Sequence, residues 1–291
     1  MDKRTISCSN NNGTTIIFGE NFSPFVLCDV DGIYYVGNNI VTTDNTTVDG
    51  AIFQGSTVAK RNIVLTVADK DEHQSHRSNL YKCFKVNTKG TLKYTENNDT
   101  KVINYYVESI TVTGTGEARK ATISLLCPDP FFYDENETIK YMAEWNGSFA
   151  FPHSFTNLKE EFGYRSLIKI QNLVNNTEQS NIGLTFKITC SGDVKNIALS
   201  HVENSEHMYI GTSTKPFSMK ATDILEITTE TGNKHVYHTT DGIKTEINNY
   251  LSEDSSFIQL SEGNNHIAYD AEEGVANISI EIRYTYKYNG V

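Results

Sequence analysis

The sequence predicts a mainly β protein organised as two domains. Aromatic residues are abundant, with 16 tyrosines and 14 phenylalanines beside many valines, isoleucines and threonines, and these side chains favour strands. Short runs in which apolar and polar residues alternate recur along the chain, separated by turn residues. The 291 residues suffice for two hydrophobic cores of ordinary size, and a single segment has a helical pattern.

The first half is predicted to combine strands with one helix. Asp71 can cap a helix over residues 72–84, in which Leu80, Cys83 and Phe84 form an apolar stripe that would lie on a sheet. After the helix, a long alternating segment and its return strand predict a hairpin. The predicted strands of this half are residues 14–18, 25–28, 33–36, 62–68, 91–94, 102–113 and 121–126.

The segment CPDPFFYDE, residues 127–135, follows the last of these strands. Pro128 and Pro130 each remove a backbone donor, so the chain is expected to leave its sheet here. Three consecutive aromatic side chains then supply apolar area, which we expect to pack where two domains meet. These residues are Phe131, Phe132 and Tyr133.

The second half is predicted to be an antiparallel β-sandwich. Composition changes near residue 136 from mixed helix and strand to nearly pure strand, which places the domains at residues 1–135 and 136–291. The closing run, NISIEIRYTYKY, alternates throughout and puts its isoleucines, Tyr284 and Tyr286 on one face. The predicted strands are residues 138–143, 148–151, 167–173, 182–191, 195–202, 208–210, 223–228, 234–238, 257–259, 265–269 and 277–288.

Charge and cysteine usage narrow the range of partners. The formal net charge is -11 and the sequence pI is near 5.2, so the chain offers no basic surface of the kind that binds nucleic acid. No run of about 18 apolar residues could cross a bilayer, and the first residues lack the apolar core of a secretory signal. Five scattered cysteines without a CxxC pair fit a reduced compartment. We therefore expect a soluble protein made inside a cell, with no specific nucleic-acid binding and no membrane contact.

Two histidine pairs are candidates for metal ligands. His73 and His76 have a suitable spacing if the segment is helical, with several acidic residues close by, but the solvated, charged start of a helix is the preferred interpretation. His235 and His238 are three residues apart on a predicted strand, which sends them to opposite faces. The sequence therefore predicts no metal site.

The sequence contains no convincing catalytic motif. Cys127 has no histidine near it in the sequence, and the chain contains neither a Gly-x-Ser-x-Gly elbow nor a P-loop. The fold can bring a partner to this thiol, but a buried small hydrophobe at a strand end is the preferred interpretation. Acidic pairs of the kind used in glycoside hydrolysis fall in turns and polar loops, where solvated acids are ordinary. These pairs are Asp29 with Asp31, Glu160 with Glu161, and Glu272 with Glu273. The sequence predicts neither an enzyme nor a cofactor.

Glycan binding is an alternative function for a β-sandwich of this kind. Trp145 is the single tryptophan, it precedes Asn146 and Gly147 in a predicted loop, and one exposed tryptophan can stack on a sugar. Burial at the domain join is the preferred interpretation of Trp145. The alternative is therefore a glycan-binding β-sandwich module that acts in host adhesion.

Several segments, in order along nearly the whole chain, resemble the distal tail protein (Dit) family of long-tailed bacteriophages. The first domain resembles that family through an Arg-Asn-Ile strand followed by a helix, a strand through an acidic residue, and a Cys-x-Asp-Pro-Phe turn. These stretches are KRNIVLTVADKDEHQSHRSNLYKCF (60–84), YYVESITV (105–112) and SLLCPDPFFYD (124–134). The second domain resembles it through DILEITTETGNKHV (223–236), DSSFIQLSEGNNHIAYDA (254–271) and the closing YKYNGV (286–291).

The resemblance implies a structural role in a phage tail. Members have an N-terminal β-sandwich with a helix and a protruding β-hairpin, which forms a hexameric ring around the tail channel, and an outward galectin-like C-terminal β-sandwich. The implied partners are five further copies, the tail tube protein, the tail-associated hub protein, and receptor-binding or other baseplate proteins. The implied location is the virion tail tip of a phage, a prophage or a phage-tail-like bacteriocin, assembled in the bacterial host cytoplasm. An acidic chain around such a channel would repel DNA and let a genome slide through.

Overall fold

A computed structural model describes residues 4–19, 24–44, 47, 49–69, 74–114, 119–142, 145–147, 163–165 and 168–291. The chain divides into two compact units. The first comprises Met1–Glu135 together with Lys287–Val291, and the second comprises Asn136–Tyr286. The last five residues therefore lie with the first unit, whereas the change of composition near residue 136 predicts them in the second domain.

The described residues form the following elements in chain order. They are β1 (Thr5–Asn10), β2 (Thr15–Gly19), β3 (Phe25–Asp31), β4 (Asn38–Asp44), β5 (Ala51–Val58), β6 (Arg61–Asp69), α1 (Gln74–Cys83), β7 (Lys89–Glu96), β8 (Asp99–Thr113), β9 (Lys120–Cys127), β10 (Phe132–Asp134), β11 (Thr138–Met142), β12 (Trp145–Gly147), β13 (Gly163–Arg165), β14 (Ile170–Asn175), β15 (Ile182–Gly183), β16 (Thr185–Cys190), β17 (Val194–His201), β18 (Glu206–Ile210), β19 (Ser218–Met219), β20 (Ile224–Glu230), β21 (Asn233–Thr240), β22 (Ile243–Glu246), β23 (Gln259–Leu260), β24 (Gly263–Glu273), β25 (Ile278–Tyr284) and β26 (Lys287–Tyr288).

Seven strands of the first unit close into a barrel. Their order is β8-β7-β1-β2-β3-β6-β9, and β9 pairs back onto β8. Closure is possible because β8 is 15 residues long: residues 99–106 pair with β7, and residues 106–113 pair with β9. A bulge between Val107 and Ser109 bends the strand where it changes partner. The prediction of a β-sandwich in this half was therefore wrong, because one long strand joins both edges of the sheet.

The barrel encloses a core built by strict alternation along its strands. In β6 the odd-numbered residues from Ile63 to Val67 point inward and are buried, while the residues between them are more exposed. The fully buried members of this core with the largest side chains are Tyr105, Phe18, Phe84, Phe132, Ile6, Ile33, Ile63, Leu65, Leu92, Ile103 and Ile123.

The helix packs on the barrel through the predicted apolar stripe. Leu80, Cys83 and Phe84 are buried, and the ring of Phe84 lies 6.0 Å from the ring of Phe18. The side chain of Asn10 donates hydrogen bonds to the carbonyls of Lys82 and Cys83 at 3.0 and 3.2 Å, which satisfies acceptors that a helix end leaves open. The predicted cap, Asp71, lies outside the described residues. No helix in the described ranges is long and apolar enough to cross a membrane.

A second hairpin, β4 with β5, extends from the first unit and was not predicted as strands. Every residue of β4 is exposed, and β5 is exposed except at Gly55. The strand predicted at residues 33–36 is wrong, because residues 32–37 are irregular and Ile33 is buried in the core of the first unit. A strand exposed on both faces carries no alternating pattern, so periodicity cannot reveal it.

The second unit contains two large antiparallel sheets around one core, and β12 with β13 and β15 with β23 form two further strand pairs. One sheet has the order β11-β25-β16-β20-β21-β22, and the other has the order β14-β24-β17-β18 with β19 beside β17. Ile280 of β25 lies opposite Met142 on one side and Ile188 on the other, and all three are buried. Leu199 and Met208 bring the second sheet into the same core. The predicted inward face of the closing run is confirmed from Ile278 to Tyr284, where β25 ends.

The barrel leaves no room for a side chain at Gly90. A Cβ atom there would lie 2.4 Å from the carbonyl oxygen of Ser9 and 2.4 Å from the ring of Tyr105. We expect Gly90→Ala to lower the free energy of unfolding by about 1–3 kcal/mol, because the buried ring and backbone must move. Gly55→Ala is the control, since nothing lies within 4 Å of its added Cβ. Chemical denaturation measures both, and equal stability of the two variants would contradict this packing.

Candidate functional site

The CPDPFFYDE segment carries the chain along one edge of β8. β9 ends at Cys127, the next four residues leave the ladder, and β10 then pairs with Lys101 and Val102 of the same strand. The carboxylate of Asp129 accepts hydrogen bonds from the backbone N–H of Phe131 at 3.3 Å and from the hydroxyl of Tyr133 at 2.6 Å. The turn is therefore closed by its own aspartate and returns the chain to the sheet that it left.

The guanidinium of Arg61 holds this turn from inside the protein. Arg61 begins β6 and is 2% exposed. It donates hydrogen bonds to the carbonyl oxygens of Pro130 at 2.6 Å, Gly32 at 2.7 Å and Tyr35 at 3.0 Å. Further acceptors are the carbonyls of Ile33 at 3.3 Å and of Asn289.

Arg61 is a buried cation without a carboxylate partner among the described residues. Burial lowers its pKa below the usual value, because removal from water disfavours the charged form. The carbonyl dipoles offset that cost, and the guanidinium also lies 4.9 Å from the centre of the Phe132 ring. One side chain thus joins the turn, the loop before β4 and the segment after β26.

Cys127 is not an activated thiol. It is fully buried, and burial raises its pKa to about 12, although the nearby Arg61 cation acts to lower the pKa and Asp129 acts to raise it. A thiol in this state is protonated at neutral pH and is a poor nucleophile. Burial likewise raises the pKa of Cys83 to about 11. The interpretation of Cys127 as a small buried hydrophobe agrees with this geometry.

The three aromatics of the turn have different surroundings. Phe132 is fully buried in the core of the first unit, so it belongs to that core and not to a contact surface. Phe131 and Tyr133 are half-buried, with the ammonium of Lys287 5.9 and 5.8 Å from their ring centres. Phe131 and Tyr133 stay predicted contact residues. The backbone of Trp145 lies in β12, opposite Arg165, and its side chain lies outside what the structure describes, so its glycan contact also stays a prediction.

The hairpin of β4 and β5 presents apolar side chains on both of its faces. Ile40 and Phe53 are each 63% exposed and lie on one face with Val58, according to the strand register. Val41 and Ile52 are 58% and 52% exposed and lie on the other face. Sequence reasoning missed these residues, although a run with isoleucine, valine and phenylalanine but no lysine or arginine between residues 38 and 58 was an available signal.

Each described histidine of the two candidate metal-binding pairs contacts a different carboxylate. His76 lies 3.3 Å from a carboxylate oxygen of Asp69, and His73 lies outside the described residues. On β21, His235 contacts Glu246 at 2.7 Å and His238 contacts Asp223 at 3.2 Å, each on its own face. Within the described ranges no group of three or more histidine, cysteine or acidic side chains could hold a metal ion.

The candidate acidic pairs also make local contacts. Asp31 accepts hydrogen bonds from the backbone of Gly32 at 2.8 Å and from the hydroxyl of Tyr35 at 3.1 Å. Glu272 and Glu273 contact the ammonium of Lys195 at 2.7 and 3.4 Å. Glu160 and Glu161 lie outside the described residues. Asp31 therefore stabilises a turn, and Glu272 and Glu273 form surface ion pairs with Lys195.

Two sequence families match separate parts of the chain. Residues 11–127 match the family described as "Phage tail protein RIFT-related domain", and residues 179–288 match "Siphovirus-type tail component, C-terminal domain". No curated protein matches the chain.

Solved structures of phage proteins have a similar fold over the full length. The crystal structure of the Dit protein of phage SPP1, titled a paradigm of hub adsorption apparatus in phages that infect Gram-positive hosts, matches with a TM-score of 0.66 and 12% identity. The match covers 97% of this chain and 99% of that one. A chain of the phage P2 baseplate, in its activated conformation with Ca, matches with a TM-score of 0.51 and 9% identity over 100% of both chains. At these identities the likeness shows the fold.

We expect Arg61→Ala to destabilise the first unit by about 3 kcal/mol or more, because several buried carbonyls lose their donor at once. Arg61→Lys is expected to fall between that variant and the natural chain, since an ammonium keeps the charge but cannot reach all the acceptors. The adjacent exposed Lys60→Ala is the control and should change stability by less than about 0.5 kcal/mol. Thermal unfolding measures all three, and an Arg61→Ala variant as stable as the control would contradict the role of the guanidinium.

Thiol labelling at pH 8 should distinguish the five cysteines. Cys28 is exposed and Cys8, Cys83, Cys127 and Cys190 are buried, so one thiol per chain is expected to react quickly and four only after unfolding. Cys28→Ser should remove the fast phase. A fast phase that persists in this variant would mean that a buried thiol such as Cys127 is accessible.

Proposed function

The chain belongs to the distal tail protein (Dit) family of siphoviruses, and we propose that six copies of it form a ring at the tip of the tail. It is a structural component of the phage tail and baseplate, and not an enzyme. The observation that carries the proposal is the hairpin of β4 and β5, which exposes apolar side chains on both faces and lies within the residues that match a phage tail domain.

A hairpin of this kind is suited to contacts with a second copy. An isolated pair of strands is marginally stable in water, and large exposed apolar side chains mark interaction surfaces. Ile40 and Phe53 lie on one face of the hairpin, and Val41 and Ile52 lie on the other. A contact with a single flat surface would therefore cover only two of these four side chains. Contacts on both faces, repeated from copy to copy, lead to a closed ring when each copy meets the next with the same rotation.

The ring would join different proteins on its two sides. We infer that the tail tube protein lies on one side and the tail-associated hub protein on the other, which the family resemblance supports. The second unit has its own core and two large antiparallel sheets. We propose that it is a separate module to which receptor-binding or other baseplate proteins dock. We propose a galectin-like sandwich for this unit.

The charge of the chain suits a channel for DNA. With a net charge of -11 on every copy, a ring repeats the same acidic surface around its axis, and like charge repels a passing genome. The proposed setting is the virion tail tip of a phage, a prophage or a phage-tail-like bacteriocin, assembled in the bacterial host cytoplasm.

Light scattering and negative-stain imaging of the purified chain test the ring. We expect a mass about six times the 32.7 kDa of one chain and ring-shaped particles. The double variant Ile40→Asp with Phe53→Asp should weaken assembly by about tenfold or more, because charges replace apolar contacts on one hairpin face.

Val202→Asp is the matched control, since Val202 is an exposed apolar residue of the second unit. It should assemble as the natural chain does. A chain that stays monomeric at high concentration would count against the ring, and a hairpin variant that assembles normally would remove the hairpin from the contact.

A further inference from the structure

An open groove of about 670 Å³ runs beside α1 on the first unit. One wall is the exposed face of the helix together with Lys85, two residues beyond its end, and the other is the turn between β1 and β2. The helix side carries Arg77, Ser78, Tyr81, Lys82 and Lys85, all of them exposed. Arg77, Ser78, Tyr81 and Lys82 follow a spacing of one, four and five residues, which puts them on one face of the helix, and Lys85 lies just beyond its end.

The charged side chains that line the groove are all positive. A guanidinium, two ammonium groups, three hydroxyls and one amide line it, and none of its described lining residues carries a carboxylate. Among the described residues, Arg77, Lys82 and Lys85 make no ion pair. Three neighbouring positive charges repel one another, so a negative group bound between them would be favoured. The groove therefore fits a ligand that accepts hydrogen bonds and carries negative charge.

This cluster is unusual in its own chain. Acidic residues outnumber lysine and arginine by 36 to 25, and elsewhere on the described surface lysines such as Lys93 and Lys195 contact carboxylates. A groove whose described lining holds three cations and no acid thus stands out against an acidic background. A partner with acidic surface would be attracted to this place and repelled from most others.

The hairpin of β4 and β5 supplies the matching charge. Asp44 and Asp49 lie at its tip and are exposed, and residues 38–58 contain no lysine or arginine. The strands are 7 and 8 residues long, which gives a reach of roughly 25 Å at about 3.3 Å per residue. Ile52 beside the tip and Tyr81 and Val86 beside the groove also offer exposed apolar area on both surfaces.

We propose that the acidic tip of the β4–β5 hairpin of one copy docks in the α1 groove of a second copy. The inference rests on the proposed ring and names the contact between its neighbouring copies. Tip and groove are both exposed within a single chain, so the contact forms between chains. Asp44 and Asp49 accept hydrogen bonds from Arg77 and Lys82 and form ion pairs with them, while the apolar residues beside them exclude water.

A charge swap tests the contact. The groove variant carries Arg77→Glu with Lys82→Glu, the tip variant carries Asp44→Lys with Asp49→Lys, and the third variant carries all four changes. Light scattering over a concentration series, at low and high salt, measures assembly. Each one-sided variant should assemble about tenfold more weakly or worse at low salt, because like charges then face each other. The four-change variant should return to near the natural level, since the pairs are restored with reversed sign.

The control carries Lys140→Glu with Lys220→Glu, two exposed lysines of the second unit, and has the same net charge as the groove variant. It should assemble as the natural chain does. Circular dichroism and thermal unfolding check that every variant is folded.

The outcomes separate this contact from the ring itself. If the natural chain and the groove variant form rings equally well, the ring stands and the groove contact is wrong. If both one-sided variants are weakened and the four-change variant is not restored, groove and tip each contribute to assembly but do not contact each other, and the proposed contact is wrong. A natural chain that never assembles contradicts the ring and this contact together.

Discussion

The buried guanidinium of Arg61 is the interaction on which the first unit depends. A cation removed from water without a carboxylate must find an acceptor for each of its N–H groups, and here the acceptors are backbone carbonyls. These carbonyls come from residues 32–35, from Pro130 and from Asn289, which are far apart in the sequence. The charge is satisfied when all three segments are in place at once. The same side chain therefore positions the base of the β4–β5 hairpin, the turn after β9 and the final residues.

Anchoring the base of the hairpin explains how an apolar, two-stranded extension can persist. The carbonyl of Tyr35 is held by Arg61, and the backbone N–H of Ala59 donates to the carbonyl of Gly37 at 2.9 Å, so both strands leave the barrel from fixed points. Beyond that base β4 and β5 pair with no other described strand, and pairing alone gives little stability. The surface that the hairpin exposes is thus stabilised by what it meets in the assembly, which is the property required of a contact element.

Sequence periodicity predicted the parts of the fold that have one buried face. Alternation located most strands of both units, the apolar stripe of Leu80, Cys83 and Phe84, and the inward face of β25. Periodicity missed β4 and β5, because side chains on both of their faces are exposed. It also missed the closure of the barrel, because β8 pairs with β7 over one part of its length and with β9 over the other. The candidate site was anticipated in part: the turn was located, but Arg61 was noted only within a family-like strand. A single buried charge has no period, and its role follows from contacts with distant carbonyls.

Assembly of an acidic chain requires that attraction be local. Copies with a net charge of -11 repel one another at long range, and salt screens that repulsion beyond roughly 10 Å. Apolar area on the hairpin supplies affinity without regard to charge, but it does not specify where the hairpin binds. Exposed ion pairs contribute only about 0–1 kcal/mol each, so the cations of the α1 groove add little binding energy. Their effect is instead on register: an acidic tip is favoured at this groove and disfavoured along the rest of an acidic surface, and that difference selects one arrangement of neighbouring copies.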